Sequence, residues 1–152
     1  MTKHLDRLKD LLVAETELAR ALLVVVENKQ EALLHTDGER LNAAVERERT
    51  LLKATNDLER ERATALTTVA AGLGGEQKNV GTVTLAELAA RLDPNEAARI
   101  RELGQSLKAV IGRIQERNHQ NRILLESSSR FVRNTLRILT GDFGHQLVDQ
   151  RI

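Results

Sequence analysis

The chain has 152 residues, of which 30% are charged and 1% aromatic; it lacks cysteine, and its 23 Lys and Arg nearly balance 22 Asp and Glu. Such a length is close to one domain and can bury a core if helices pack side by side. The composition excludes disulfides, thiolate metal sites and a thiol nucleophile, and the near-neutral net charge argues against general nucleic-acid or membrane binding.

A highly charged, aromatic-poor chain is typical of long helices with aliphatic interfaces. Pro94 is the one proline, and most glycines lie between Gly72 and Gly81 or near the C-terminus, so two long stretches lack strong helix breakers. The N-terminus leads straight into an amphipathic pattern, and Leu22–Val26 is far too short to cross a bilayer. A cytoplasmic location is expected.

From Leu5 to Leu33 the apolar residues Leu5, Leu8, Leu12, Ala19, Leu22, Val26 and Leu33 form one helical stripe, predicting a first helix over about 2–35. Asp37-Gly38 supplies a turn, and Thr36 with Glu39 has capping-box spacing. A second helix over about 37–72 carries Leu41, Val45, Leu51, Leu52, Leu58, Leu66 and Val69, and stops at Gly72-Leu73-Gly74-Gly75. So short a link makes the two helices antiparallel neighbours. Gly72 to Thr82 reads as a loop.

Thr84 and Glu87 repeat the capping-box spacing before a short helix over 85–92. Asp93-Pro94-Asn95-Glu96 is the clearest helix start, with Asp as N-cap, proline at the first helical position and glutamate at N3. The helix it opens, 94–140, carries Ile100, Leu107, Ile111, Ile114, Leu125, Val132 and Leu139 in heptad register. The expected fold is all-α: an antiparallel, coiled-coil-like bundle of three long helices with a short extra helix before the last, one domain over 1–141. The segment 142–152 reads as a tail able to stay disordered until it meets a partner.

At about 1.5 Å per residue the first two helices span roughly 50 Å and the last about 70 Å. The last therefore overhangs the Asp37-Gly38 turn, leaving Phe131, Val132, Leu136 and Leu139 as an exposed apolar stripe of the kind that marks a partner site. Phe131 and Phe143 are the two aromatics, and aromatics are enriched at binding hot spots; a bundle cap is the plainer role for Phe143. Between Pro94 and Thr140 nine Lys or Arg face four Asp or Glu. This basic helix reads as a solvated face first and as steering for an acidic partner second.

Other signals are plainer. His4, His35, His119 and His145 are scattered, with no pair at i, i+3 or i+4, so no metal site is expected. No phosphate-binding glycine loop and no catalytic triad are suggested, and neither an enzyme nor a cofactor is expected. On the apolar stripes, Glu15 comes level with Arg60 and Arg62, and Lys29 with Glu46 and Glu48. These pairs either fix the hairpin register or reach out to water. Asn118 and Asn121 occupy consecutive core positions of the last helix, where a register-setting polar layer is favoured over direct ligand contact.

The run Gln115-Glu116-Arg117-Asn118-His119-Gln120-Asn121-Arg122-Ile123-Leu124-Leu125, continued by Glu126-Ser127-Ser128-Ser129-Arg130-Phe131-Val132-Arg133, resembles the last helix of the FlgN family of flagellar export chaperones, with its Asn-x-x-Asn followed by Leu-Leu. The order of parts is similar over most of the chain. The resemblance implies a cytoplasmic chaperone that binds the C-terminal helical segments of hook-filament junction proteins and holds them unassembled until export by the flagellar type III apparatus. Leu124, Ser128, Phe131, Val132, Thr135, Leu136 and Leu139 are the candidate contacts, with the tail as a second element for client or export gate. Ser127, Ser128 and Ser129 make the middle of the stripe small and polar, unlike a generic hydrophobic groove. The competing expectation is a structural coiled coil whose overhang is buried in a homo-oligomer.

Overall fold

A computed structural model describes the backbone of residues 2–74 and 83–151 and the side chains of 3–74 and 83–139. Among the described residues it is all-helical, with four helices and no strand: α1 Thr2–Leu34, α2 Gly38–Gly72, α3 Leu85–Ala89 and α4 Pro94–Arg151. The loop expected over 72–82 lies largely outside the described residues.

Local chemistry sets the helix ends. Glu87 donates its backbone N–H to Thr84 Oγ1 (3.1 Å) and Thr84 donates its own to Glu87 Oε2 (3.4 Å), the reciprocal pair of a capping box. Asp93 Oδ1 accepts from the N–H groups of Asn95 (3.0 Å) and Glu96 (3.1 Å), opening α4 at Pro94 as the sequence predicts.

The first turn differs from expectation. The N-cap of α2 is Asp37, whose Oδ1 accepts from Arg40 N (3.1 Å), and Thr36 instead terminates α1. Thr36 has φ 53°, and the Asp37 and Thr36 N–H groups donate back to the carbonyls of Ala32 and Leu33. That is the paired bonding of a Schellman termination, with a β-branched residue where glycine is usual.

Two further boundaries are corrected. α3 stops at Ala89 rather than Leu92, since Ala90-Arg91-Leu92 form turns. α4 does not stop at Gly141: it continues into the segment expected as a separate tail, 142–152, as far as Arg151. A glycine costs a helix only about 1 kcal/mol, and no proline follows to force a stop.

Cross-helix contacts fix direction. Glu15 meets Arg62 and Lys29 meets Glu48, so α1 and α2 run antiparallel. Lys9 pairs with Glu96 and Gln30 bonds Arg117, the same separation of 87 positions, so α4 runs parallel to α1. The core is a continuous cluster in which Leu8, Leu12, Val26, Val69, Leu88 and Ile100 are fully buried. On α4 the buried face is Ile100, Leu103, Leu107, Val110 and Ile114; Ile111, expected inside, is exposed and Val110 takes its place.

α1 carries the other two long helices on two flanks, and no α-carbon of α2 lies within 8 Å of one of α4 among the described residues. Towards the start of α4 this gap is bridged by α3, which touches both α2 and α4 and sinks Leu88 into the core. Towards the Asp37 turn it stays open.

Candidate partner-binding surface

Where α4 leaves the core, polar side chains take over its packed face. Asn121 is 4% exposed and its Nδ2 donates to the Val26 carbonyl (3.1 Å), tying α4 to a backbone oxygen of α1. Its Oδ1 is buried with no hydrogen-bond donor among the described residues. A buried acceptor left in that state costs about 1–3 kcal/mol. Asn118, expected beside it as a polar layer, is half-buried on the wall of the groove described below.

Next to Asn121, Arg117 Nη1 donates to Gln30 Oε1 (2.9 Å) and Gln30 Nε2 donates to Gln120 Oε1 (3.0 Å). Gln30 and the bonds it makes to Arg117 and Gln120 escaped the sequence reading. The constant separation shared by Lys9 with Glu96 and Gln30 with Arg117 is the signal that sliding α4 along α1 could have revealed.

By that separation Leu34, the last residue of α1, comes level with Asn121, so Arg122–Arg151 runs roughly 45 Å past it. From Arg122 to Leu139 every residue except the half-buried Leu124 and Thr135 is exposed. Among the residues expected to meet a partner, Phe131 is 71% and Leu139 77% exposed, with Val132, Leu136 and Ser128 also on the surface. Ile138, the most exposed of the large apolar side chains, was not among them. Phe143 lies outside the described side chains.

One helical turn is about 3.6 residues, so of the seven candidates Val132, Leu136 and Leu139 share one face of the overhang, Leu124 and Phe131 another, and Ser128 and Thr135 lie between them. Leu125, Val132, Leu136 and Leu139 follow Ile114, Asn118 and Asn121 at spacings of three, four or seven, which continue the packed face. Leu124, Phe131 and Ile138 stand about 100° away from it.

The sequence reading did not anticipate a groove. Between α2 and α4, with α1 as floor, lies an open trough of about 570 Å³. Leu41, Val45 and Leu52 line its α2 wall, Ile114, Asn118 and Leu125 its α4 wall, and Leu22 and Leu33 its floor. Leu52 and Leu125 are exposed large apolar residues on opposite walls. At its edge Lys29 Nζ pairs with Glu48 Oε1 (3.2 Å), while Glu46 turns outward to Arg49.

The second candidate pair lies deeper, between α1 and α2. Glu15 Oε1 accepts from Arg62 Nε at 2.6 Å with Glu15 only 5% exposed, and Arg60 pairs with Asp57 instead. Burial raises the Glu15 pKa; the Arg62 charge and hydrogen bond pull against that rise, and Glu59 adds to it.

Such an arrangement defines a class: an all-helical scaffold that presents apolar surface along one long helix and beside it. The chain belongs to the FlgN family; the family model, described as FlgN protein, matches residues 1–148. Membership makes it a flagellar export chaperone with protein clients, in a family not known for enzymes. Among the described residues no helix is long and apolar enough to cross a membrane. Comparison with curated proteins and with solved structures finds no match.

Proposed function

We propose that this chaperone binds the C-terminal helical segments of flagellar hook-filament junction proteins in the cytoplasm, keeps them from assembling early, and supports their delivery to the flagellar type III export apparatus. The three long helices act as an antiparallel bundle, and its overhanging helix holds the client. The observation that carries this reading is the run of exposed apolar side chains from Leu125 to Leu139 on one helix of a family of export chaperones. Client segments that later polymerise are amphipathic helices, and docking them buries apolar area on both partners at about 25 cal/mol per Å² before ordering costs.

The contacts are Leu124, Ser128, Phe131, Val132, Thr135, Leu136 and Leu139, with Asn118 and Asn121 setting the register of the helix that carries them. The small serines let a client helix approach closely in the middle of the stripe.

Calorimetric titration with the C-terminal segments of the junction proteins from the same organism tests this, comparing wild type with Phe131→Ala plus Leu139→Asp. Saturable binding that the double variant loses while its helical circular dichroism is retained is the expected result. Absence of any binding sinks the client assignment. A mass that resists dilution in the free protein would favour a structural homo-oligomer instead.

A further inference from the structure

The groove between α2 and α4 has a floor and two walls, but among the described residues no element lies across it as α3 does at the other end. Its apolar lining is long in the helix direction, from Leu41 to Leu52 on one side and from Ile114 to Leu125 on the other. That is the shape of a seat for a helix rather than for a compact small molecule.

Two further observations specify what lies there. Asn121 lines this groove, is 4% exposed, and has its Oδ1 buried without a donor. A partner able to donate a hydrogen bond would relieve that acceptor. On the same wall Arg122 lines the groove and forms no ion pair among the described residues. It begins an overhang, Arg122–Arg151, whose five arginines outnumber its three acidic residues, Glu126, Asp142 and Asp149. That excess of positive charge repels the overhang of a second copy and attracts an acidic segment.

We propose that the α2–α4 groove is a second docking element for the client: it receives an amphipathic helix with acidic flanks, whose apolar stripe packs on Val45, Leu52 and Leu125 and which presents one neutral donor side chain, such as Ser, Thr, Asn or Gln, to Asn121. The client then runs from the overhang into the groove along one continuous face of α4, Leu139, Leu136 and Val132 leading to Leu125 and Asn121. This inference rests on the client-binding reading above and adds a site to it.

Because the chain has no cysteine, Asn42→Cys on the α2 wall and Ile138→Cys on the overhang each give a unique site for an environment-sensitive dye. The probe is the C-terminal segment of a junction protein, added to the full chain. Both dyes are expected to respond at the same client concentration. Val45→Glu is expected to weaken binding roughly tenfold or more by burying a charge in the seat. Asn121→Leu is expected to weaken it roughly fivefold or more by leaving the client donor unmet, both with helical circular dichroism unchanged. If the Ile138 dye responds while the Asn42 dye stays silent and Val45→Glu binds like wild type, the groove is not a client site although the chaperone reading stands. If the free protein is a dilution-resistant dimer with the Asn42 dye already shielded, a second copy fills the groove and the proposal is overturned. If neither dye responds and calorimetry shows no binding, the client assignment falls and this inference with it.

Discussion

The space between α2 and α4 is filled at one end of the molecule and open at the other, although the same helices form its walls at both ends. Near the start of α4 the five-residue α3 bridges it, and Leu88 is fully buried. Near the Asp37 turn no described element plays that part, and Leu52 and Leu125 face solvent on opposite walls of the groove. An apolar heptad position thus becomes core or surface according to what the neighbouring segment supplies, not according to its own residue type. The closed end serves stability, and the open end is where the proposed client docks.

The largest expected effect breaks the closed end. Leu88→Ala should destabilise the protein by about 3 kcal/mol in urea unfolding, the transfer loss plus the cavity left between three helices. It should leave client affinity unchanged. A neutral result would mean that α3 does not close the gap, and the contrast between the two ends would fail.

The next effect tests the Glu15–Arg62 ion pair, which ties α1 to α2 at the closed end. Arg62→Ala should cost about 2 kcal/mol, less than the loss of a fully enclosed pair because Arg62 keeps part of its surface in water. The pH dependence carries a sign opposite to that of an ordinary paired carboxylate. Burial raises the Glu15 pKa above its ordinary value of 4.5, so the folded state holds the proton more tightly than the unfolded one. The stability due to this group is therefore fully present below pH 4.5 and declines as pH rises through the raised folded value. Wild-type stability relative to Glu15→Gln should fall over that window. A rise would show that Arg62 outweighs the loss of hydration.

Much of this was legible from sequence because periodicity and capping are local. Asp93-Pro94 marks the start of α4, Thr84 with Glu87 marks that of α3, and the hairpin register brings Glu15 level with Arg60 and Arg62 and Lys29 level with Glu46 and Glu48. Choosing Arg62 over Arg60 needed the side-chain direction on α2. The groove was illegible because it is made by a separation: heptad spacing says which residues of α2 and α4 turn inward, but not that the two helices stay apart. Asn121 was placed inside by its spacing, yet its orphaned oxygen depends on the one bond Nδ2 makes to Val26.

At the turn that bounds the open end, the expected gain is smaller. Thr36 sits at φ 53°, a conformation that costs an L-residue roughly 1–2 kcal/mol and glycine almost nothing. Thr36→Gly should therefore raise stability by about 1 kcal/mol in thermal unfolding, after the added unfolded-state entropy is set against the relieved strain. A loss instead would place the value of this turn in the threonine side chain.

The smallest stability change comes from the overhang, and it sharpens the comparison most. Leu139→Ser and Ile138→Ser replace neighbouring apolar residues that are both more than three-quarters exposed, so each should alter stability by no more than about 0.5 kcal/mol. Their effects on the client should differ. Leu139 continues the face that runs through Val132 and Leu125 to Asn121, whereas Ile138 stands about 100° round the helix beside Phe131. If the open end works as one surface with the groove, Leu139→Ser weakens client binding several-fold more than Ile138→Ser, which touches only the flank of the contact beside Phe131. Equal losses would mean that the client wraps the overhang on both faces, and a loss confined to Ile138 would move the seat to the Phe131 side, away from the groove altogether.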